Sequence, residues 1–446
     1  MGGQREMAKK IILAAGCLLV LGAFLLLQNG KQPSLPSTVE PGSMSITLYH
    51  YFSGALSGGL TEMLETVNSR EPGNQVIANG LDHEAFKSMI LSTLDKENPP
   101  ELFTYWAGSR TAELVRQEKL QPIDDMWEAH KLSKRFPAPI IEAAVNYEGK
   151  KYLLPITQHL VVFFYNKTVF ERENLSVPTT WEEFHTLCLH LKEKDVVPVA
   201  LGARERWPAQ FWFDYLLLRT AGTAYRASLM RGEASYTDPQ VERAYTLWGE
   251  LIADGFINSD ANSTDWNDAV QMVCNGQAAM TLMGTWAIQL FTEGDCGLEA
   301  GRDFDFFAFP TVDPAVEKAA VGPIDGIVLT RHSVNHEFAK SVLAYFAETD
   351  SQEKMSKGSG ALAPNIEVPR AFYSPFKQRL LDEIASARSW AFNYDLATPP
   401  SVAERGMDSF NELIEFPGQV RPILQNLQSD VAPLFLNQEK QSTLSR

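Results

Sequence analysis

Four cysteines in 446 residues are too few to staple a fold of this size. Basic charge is also scarce. Lys and Arg total 39 against 55 Asp and Glu, a formal charge of −16. That balance excludes binding to a phosphate backbone through broad positive potential. There is no internal repeat, and no low-complexity block beyond one short linker. G-x-S-x-G and His-Glu-x-x-His are both missing, and Gly358-Ser359-Gly360 lacks the Lys-Ser/Thr that completes a phosphate loop. What is present is an ordinary globular composition, 45% hydrophobic and 21% charged, able to bury a large core. At about 150 residues per domain, two or three domains are expected.

Only one long apolar run occurs, Ile11 to Leu27, preceded by Arg5, Lys9 and Lys10. A basic flank before such a run is an export signal. Its 17 residues, at about 1.5 Å each, reach the short end of what spans a bilayer. Residues 1–28 therefore read as a signal peptide or a retained N-terminal anchor. Ala14-Ala15-Gly16-Cys17 resembles a lipidation site but lies inside the run, where such a site should close it. The Pro- and Ser-rich stretch that follows makes 29–43 a linker. The body from Met44 is expected outside the cytoplasmic membrane, in the periplasm or cell envelope, tethered if the run is uncleaved. Its cysteines are Cys188, Cys274 and Cys296. By loop length Cys274 with Cys296 is one reading, and three buried or free thiols are the other.

Along the body, strand and helix signals alternate. SITLYHYF is β-rich, and helical spacing follows from Leu56 to Ser69. Gln75 to Ala78 is a short strand. Asp82 then caps a helix burying Phe86, Met89, Ile90 and Leu94, and ELFTYW returns as a strand. Such β–α units predict a mainly parallel sheet. A second series starts around Pro155. There Thr180 and Glu183 form a capping box, and Asp238-Pro239 opens another helix. AAMTLMGTW, FDFFAFPT and GIVLT read as strands, and the chain after Asp350 as mostly helical.

Several apparent sites fail on geometry. His190 falls about 140° around a helix from His185, so neither converges with Cys188 on one ion. Asp260, Asn262 and Thr264 imitate a calcium loop, but Asp265 and Gln271 stand where Gly and Glu are needed. No catalytic residue, metal ligand or cofactor is assigned. Aromatic residues beside amides and acids remain: Tyr105-Trp106, Trp207-Pro208-Ala209-Gln210, Thr285-Trp286 and Phe392-Asn393-Tyr394-Asp395. Aromatic faces with polar neighbours suit the C–H faces and hydroxyl rims of sugars. Trp127, Trp181 and Trp248 lie in helical patterns and read as packing. Trp106 and Trp286 follow strands, where open α/β sheets place ligands.

At this point six segments, in order, carry a resemblance: PELFTYWAG, FFYNKTVFERENLSVPTTWEEF, WPAQFWFDYLL, NGQAAMTLMGTWA, GPIDGIVLT and KGSGALAPN. The sequence resembles the extracellular sugar-binding proteins of ABC importers, the group that includes maltose-binding proteins, from Ser45 to about Leu434. The resemblance implies a two-lobed periplasmic-binding-protein fold of mixed sheets flanked by helices, with the ligand in the interlobe cleft. Carried onto this chain, lobe one is 44–156 plus 305–348, lobe two 157–304 plus 349–435, and 436–446 a tail. Cleft-facing positions are implied at Tyr51, Phe52, Trp106 and Trp286. Trp207, Gln210 and a turn at Asp325-Gly326 join them, and Asn393, Tyr394 and Asp395 are added for their chemistry. The implied function is capture of a small neutral carbohydrate, of disaccharide or glycosylated-polyol size, for ABC permease subunits in the membrane. A monomer without enzymatic activity, cofactor or nucleic-acid partner is expected. A glycoside hydrolase would instead need a carboxylate pair across the sugar, and a ligand-sensing partner of a membrane receptor would use the same cleft.

Overall fold

A computed structural model gives the structure of the protein and describes residues 44–70, 73–293 and 296–444. The expected export run, lipidation-like site and linker lie outside the described residues. Among the described residues no helix is long and apolar enough to cross a membrane.

Local signals explain much of the element order. The strand Ser45–His50 alternates burial, sending Ile46 and Leu48 into the core. Asp82 accepts hydrogen bonds from the backbone of Glu84 and Ala85, starting the helix His83–Leu94. Phe86, Ile90 and Leu94 are buried on it, whereas Met89 is only half-buried. Thr180 and Glu183 close the capping box of the helix Trp181–Glu193.

Two main sheets organise two cores. The first runs Gln75–Gly80, Ser45–His50, Leu102–Trp106, Ile324–Leu329, Leu153–Gln158. Its first three strands are parallel, and Ile324–Leu329 is antiparallel to both of its neighbours. The second runs Phe304–Phe307, Val161–Asn166, Ala278–Gly284, Val197–Val199. A parallel pair, Ala319–Val321 with Ser389–Ala391, packs into the same core as this sheet. The first core gathers Phe86, Phe103, Leu154 and Ile327; the second gathers Phe163, Trp212, Trp248 and Phe410. Trp127 and Trp248 are buried packing residues, and Trp181 stacks on Phe184.

The chain passes between the cores at 158–161, at 321–324 and near 355–362, and Leu396 reaches back to the first core from a segment otherwise held in the second. His159 N–H donates to Pro323 C=O at 3.0 Å, and Gln158 and Leu362 exchange backbone hydrogen bonds at 2.9 Å. At Gly322 a Cβ would lie 1.8 Å from His159 O, so the crossing segments pack against each other only because this residue has no side chain. The expected lobe limits are corrected here. Phe304, Phe307, Phe309 and Val321 belong to the second core, and the first resumes at Ile324 instead of 305. Met355, expected in lobe two, packs into the first core, because the helix Thr349–Ser359 lies on Gly58–Arg70. The expected tail from 436 continues the helix Val420–Leu444. The FDFFAFPT signal shows a strand but not its sheet, since its partner, Val161–Asn166, is about 140 residues away along the chain. Cys274 and Cys296 form a disulfide, and Cys188 is a buried free thiol.

Candidate binding cleft

Between the two cores lies a cavity of about 330 Å³. Its first wall is made at the ends of strands. Tyr51 and Phe52 directly follow Ser45–His50, and Trp106 ends Leu102–Trp106. Tyr51 and Trp106 stack at 4.5 Å and 9°, with Phe86 edge-on to both. Asp325 stands opposite Trp106 in register. Its Oδ2 accepts from Thr157 Oγ1 at 2.9 Å and lies 3.7 Å from His159 Nε2. Burial pushes the Asp325 carboxyl up to about 7, against the Thr157 hydrogen bond. Burial, then the Lys377 charge, push His159 down to about 3. The Asp325–His159 contact therefore meets as two groups biased toward neutrality. Lys377 donates to the carbonyls of Ser356 and Ala361 at 2.6 and 3.1 Å, and burial lowers its amine to about 7.

On the helix His83–Leu94, His83 and Lys87 also reach the cavity. Glu84 pairs with both, at 2.7 and 3.1 Å. Burial lowers Lys87 despite Glu84 and Asp395 nearby. Lys87 Nζ lies 5.8 Å from the ring centres of both Trp106 and Trp207, bridging the two walls.

The second wall comes from turns and helix starts. Trp207 belongs to a short turn, Gln210 opens the helix Gln210–Thr220, and Trp286 follows the strand Ala278–Gly284. A Cβ at Gly284 would fall 2.0 Å from the Trp286 ring, so glycine is what lets the indole fold over its own strand. Trp286 meets Trp207 at 5.8 Å and 62°, and His159 at 5.2 Å and 77°. Asn393 and Asp395 lie on a segment held from behind. Asp214 Oδ2 accepts from Tyr394 N at 2.8 Å, and Gln210 Oε1 accepts from Asp395 N at 2.8 Å. Arg226 Nε donates to Asp214 Oδ1 at 3.0 Å. Burial raises Asp214 to about 6 against the Arg226 charge.

All but two of the sequence-expected site residues line this cavity. Gly326 does not. It sits inside the strand Ile324–Leu329, next to a register shift, and a Cβ there would meet Leu153 at 2.1 Å. The expected Asp325-Gly326 turn is thus a strand whose alternation sends one residue to the cavity and the next into packing. Tyr394 is also misplaced. It is fully buried in the second core, its hydroxyl 2.7 Å from that of Tyr236. Sequence reading missed His83, Lys87, His159, Phe211 and Trp266. His159 follows the Pro155 crossing directly, and His83 follows a parallel strand as Tyr51 does, so the strand-end rule could have found both.

Four buried polar atoms on lining residues complete no hydrogen bond: Tyr51 OH, Trp207 Nε1, Asp325 Oδ1 and Asn393 Oδ1. The Tyr51 hydroxyl lies beside the Asp325 carboxyl, close enough for each to alter the other's proton affinity, but the two miss good hydrogen-bond geometry. Each unpaired group costs about 1–3 kcal/mol unless a partner arrives. Among the described residues no cluster could hold a metal ion.

Two α/β lobes with an aromatic, polar-rimmed cavity between them define a solute-binding architecture. Residues 54–353 match the bacterial extracellular solute-binding protein family, and the chain belongs to it. It is 26% identical over 425 residues to an uncharacterized ABC transporter extracellular-binding protein of Pyrococcus horikoshii, covering 92% of each chain. It is 30% identical over 166 residues to the multiple sugar-binding protein of Streptococcus mutans, covering 36% of this chain and 39% of that one. Among solved structures it is similar to the bacterial solute receptor AcbH, described as having an exclusive preference for β-D-galactopyranose. That match has a TM-score of 0.83 and 27% identity, covering 88% of this chain and all of the other. A chitin oligosaccharide binding protein shares the fold, with a TM-score of 0.79 and 22% identity over 87% of this chain and 98% of that one.

Proposed function

We propose that this protein captures a small neutral carbohydrate of one or two rings outside the cytoplasmic membrane and delivers it to ABC permease subunits, without chemical turnover. The observation that carries the reading is the pairing, in one cavity, of four indoles from both lobes with four unpaired polar atoms. Indole faces cover sugar C–H groups, and hydroxyls supply the missing donors and acceptors. The charges support a neutral ligand. Lys87 is paired with Glu84, Asp395 with Arg110, and Asp325 is pushed toward its neutral form. A volume of about 330 Å³ is at the small end of ligand cavities, roughly 300–1,000 Å³, and favours one or two rings. The sugar-binding names of relatives agree with this chemistry. Because the walls belong to different lobes, a sugar touching both stabilises the closed state by its differential affinity for it. The protein acts as an exported monomer, held at the membrane if its N-terminal run is uncleaved.

The test is calorimetric titration with D-galactose, D-glucose, maltose, cellobiose, sucrose, trehalose and raffinose, with chromatography of each mixture afterwards. Saturable heat with at least one sugar and unchanged sugar on recovery is expected. No heat with any of them, or recovery of cleaved glycoside, sinks the proposal.

A further inference from the structure

Asp395 has three partners, and one of them comes from across the cleft. Within its own lobe, Gln210 Oε1 holds its backbone N–H, and Asn393 Nδ2 donates to Oδ1 at 2.5 Å. The third is Arg110 of the first lobe, whose Nη2 lies 3.1 Å from Oδ2, with the two side chains 14% and 7% exposed. Arg110 sits near the start of the helix Ser109–Arg116, and its guanidinium lies 5.6 Å from the centre of the Trp106 ring. It thus touches one cavity residue from each lobe. The surfaces around it fit closely. Gly108 holds φ +88°, and a Cβ there would lie 2.4 Å from Leu396 O. Leu396, next to Asp395 in sequence, packs into the first core.

We propose that Arg110 is a positioning residue that latches the lobes, its ion pair with Asp395 forming only on closure and so coupling cavity occupancy to the closed state. The pair exists only where both lobes meet, so its free energy counts wholly toward closure. Separation returns both ions to water, where they are well solvated. A nearly buried pair offsets its own desolvation only with added hydrogen bonds; Asn393 supplies one to the Asp395 carboxylate, while Gln210 fixes the backbone that carries it. A ligand against Trp106 and Asp395 orders both ends of the contact, so ligand and latch reinforce each other.

This inference rests on the two-lobe binding reading, and the experiment separates the two. Spin labels are placed on exposed E128C and K194C of the full-length chain carrying C17S, one on each lobe, with Cys188 buried and Cys274 and Cys296 disulfide-bonded. Interlobe distances are measured by pulsed electron resonance without sugar and with the seven sugars above. The wild type is expected to show a short and a long distance, the short one growing with at least one sugar. R110Q should lower the ratio of short to long about fivefold or more in every sample, and R110K should recover part of it. D395N combined with R110Q should be no worse than D395N alone. If R110Q and R110K match the wild type, or the wild type shows only the long distance throughout, the latch is overturned. If the short distance responds to R110Q but to no sugar, the carbohydrate reading fails and the latch stands.

Discussion

The cavity's first wall hangs from strand ends of one sheet, whereas its second wall is assembled from turns, helix starts and a segment held from behind. On the first, Trp106 and Asp325 are fixed by backbone pairing, and Tyr51, just past a strand end, stacks on Trp106. On the second, Asn393 and Asp395 keep their places through Asp214, Arg226 and Gln210, none of them close in sequence. The acids differ in the same way: Asp325 has no cation beside it, while Asp395 has Arg110. A wall set by strand register loses little when a side chain is altered behind it. A wall set by a buried polar network fails as a unit.

The largest break of that contrast is expected at Asp214. Asp214→Ala leaves Arg226 and the Tyr394 N–H buried without their partner and should cost about 3–5 kcal/mol of stability. Sugar affinity should fall with it, through displacement of Asn393 and Asp395. Calorimetric unfolding and titration measure both, and a stable variant with intact affinity would show that the second wall does not depend on this network.

The two tryptophans sharpen the comparison. Trp106 is clamped by Tyr51 and Phe86, so Trp106→Ala should lose about 3–5 kcal/mol of stability as well as affinity. Trp286 is half-buried and meets its neighbours edge-on. Trp286→Ala should cost about 1–3 kcal/mol of affinity, about 5- to 150-fold, with a smaller change in melting temperature. Equal stability losses would mean that both rings are packing residues.

Asp325 and His159 set opposing pH slopes where the walls meet. The fold keeps a proton on Asp325 from 3.8 to about 7, so this group makes stability fall as pH rises. It keeps a proton off His159 from about 3 to 6.5, so that group makes stability rise. The two contributions cancel between pH 3.8 and 6.5. Relative to the wild type, Asp325→Asn should make the slope there more positive and His159→Gln more negative, each by up to about 1.4 kcal/mol per pH unit. Melting temperatures across this range check the signs, and matching slopes in both variants would refute the assignment.

The smallest effect lies away from either wall. Thr180→Ala removes the hydroxyl that caps the helix Trp181–Glu193 and should cost about 1 kcal/mol. Titration should show unchanged sugar affinity, and a loss would mean that second-lobe stability itself feeds the cavity.

The same division governs what could be read from the sequence. Tyr51, Phe52 and Trp106 are legible because the strands before them are β-rich and parallel sheets open ligand sites at that edge. The Thr180 capping box and the Asp82 cap were equally plain, since each spans only a few residues. Trp286 was legible as a residue following a strand, though only the structure shows why it turns back over Gly284. Gly326 and Tyr394 were misplaced for one reason. Alternation along a strand, or one step along a turn, moves a side chain from cavity to core, and a sequence does not print that phase.

By itself, the sequence determined the alternating α/β character, the caps, the aromatic strand ends and the lack of net positive charge. These depend on residues within a few positions of one another, or on composition. Tertiary structure alone decided that Phe304–Phe307 joins the second sheet, that Met355 packs in the first core, and that Cys274 meets Cys296. It also decided that Lys87, His159 and Asp395 converge on one cavity from three separate stretches of chain. Those meetings depend on which distant strands pair and how closely the crossing segments approach, and such contacts join residues tens to hundreds of positions apart.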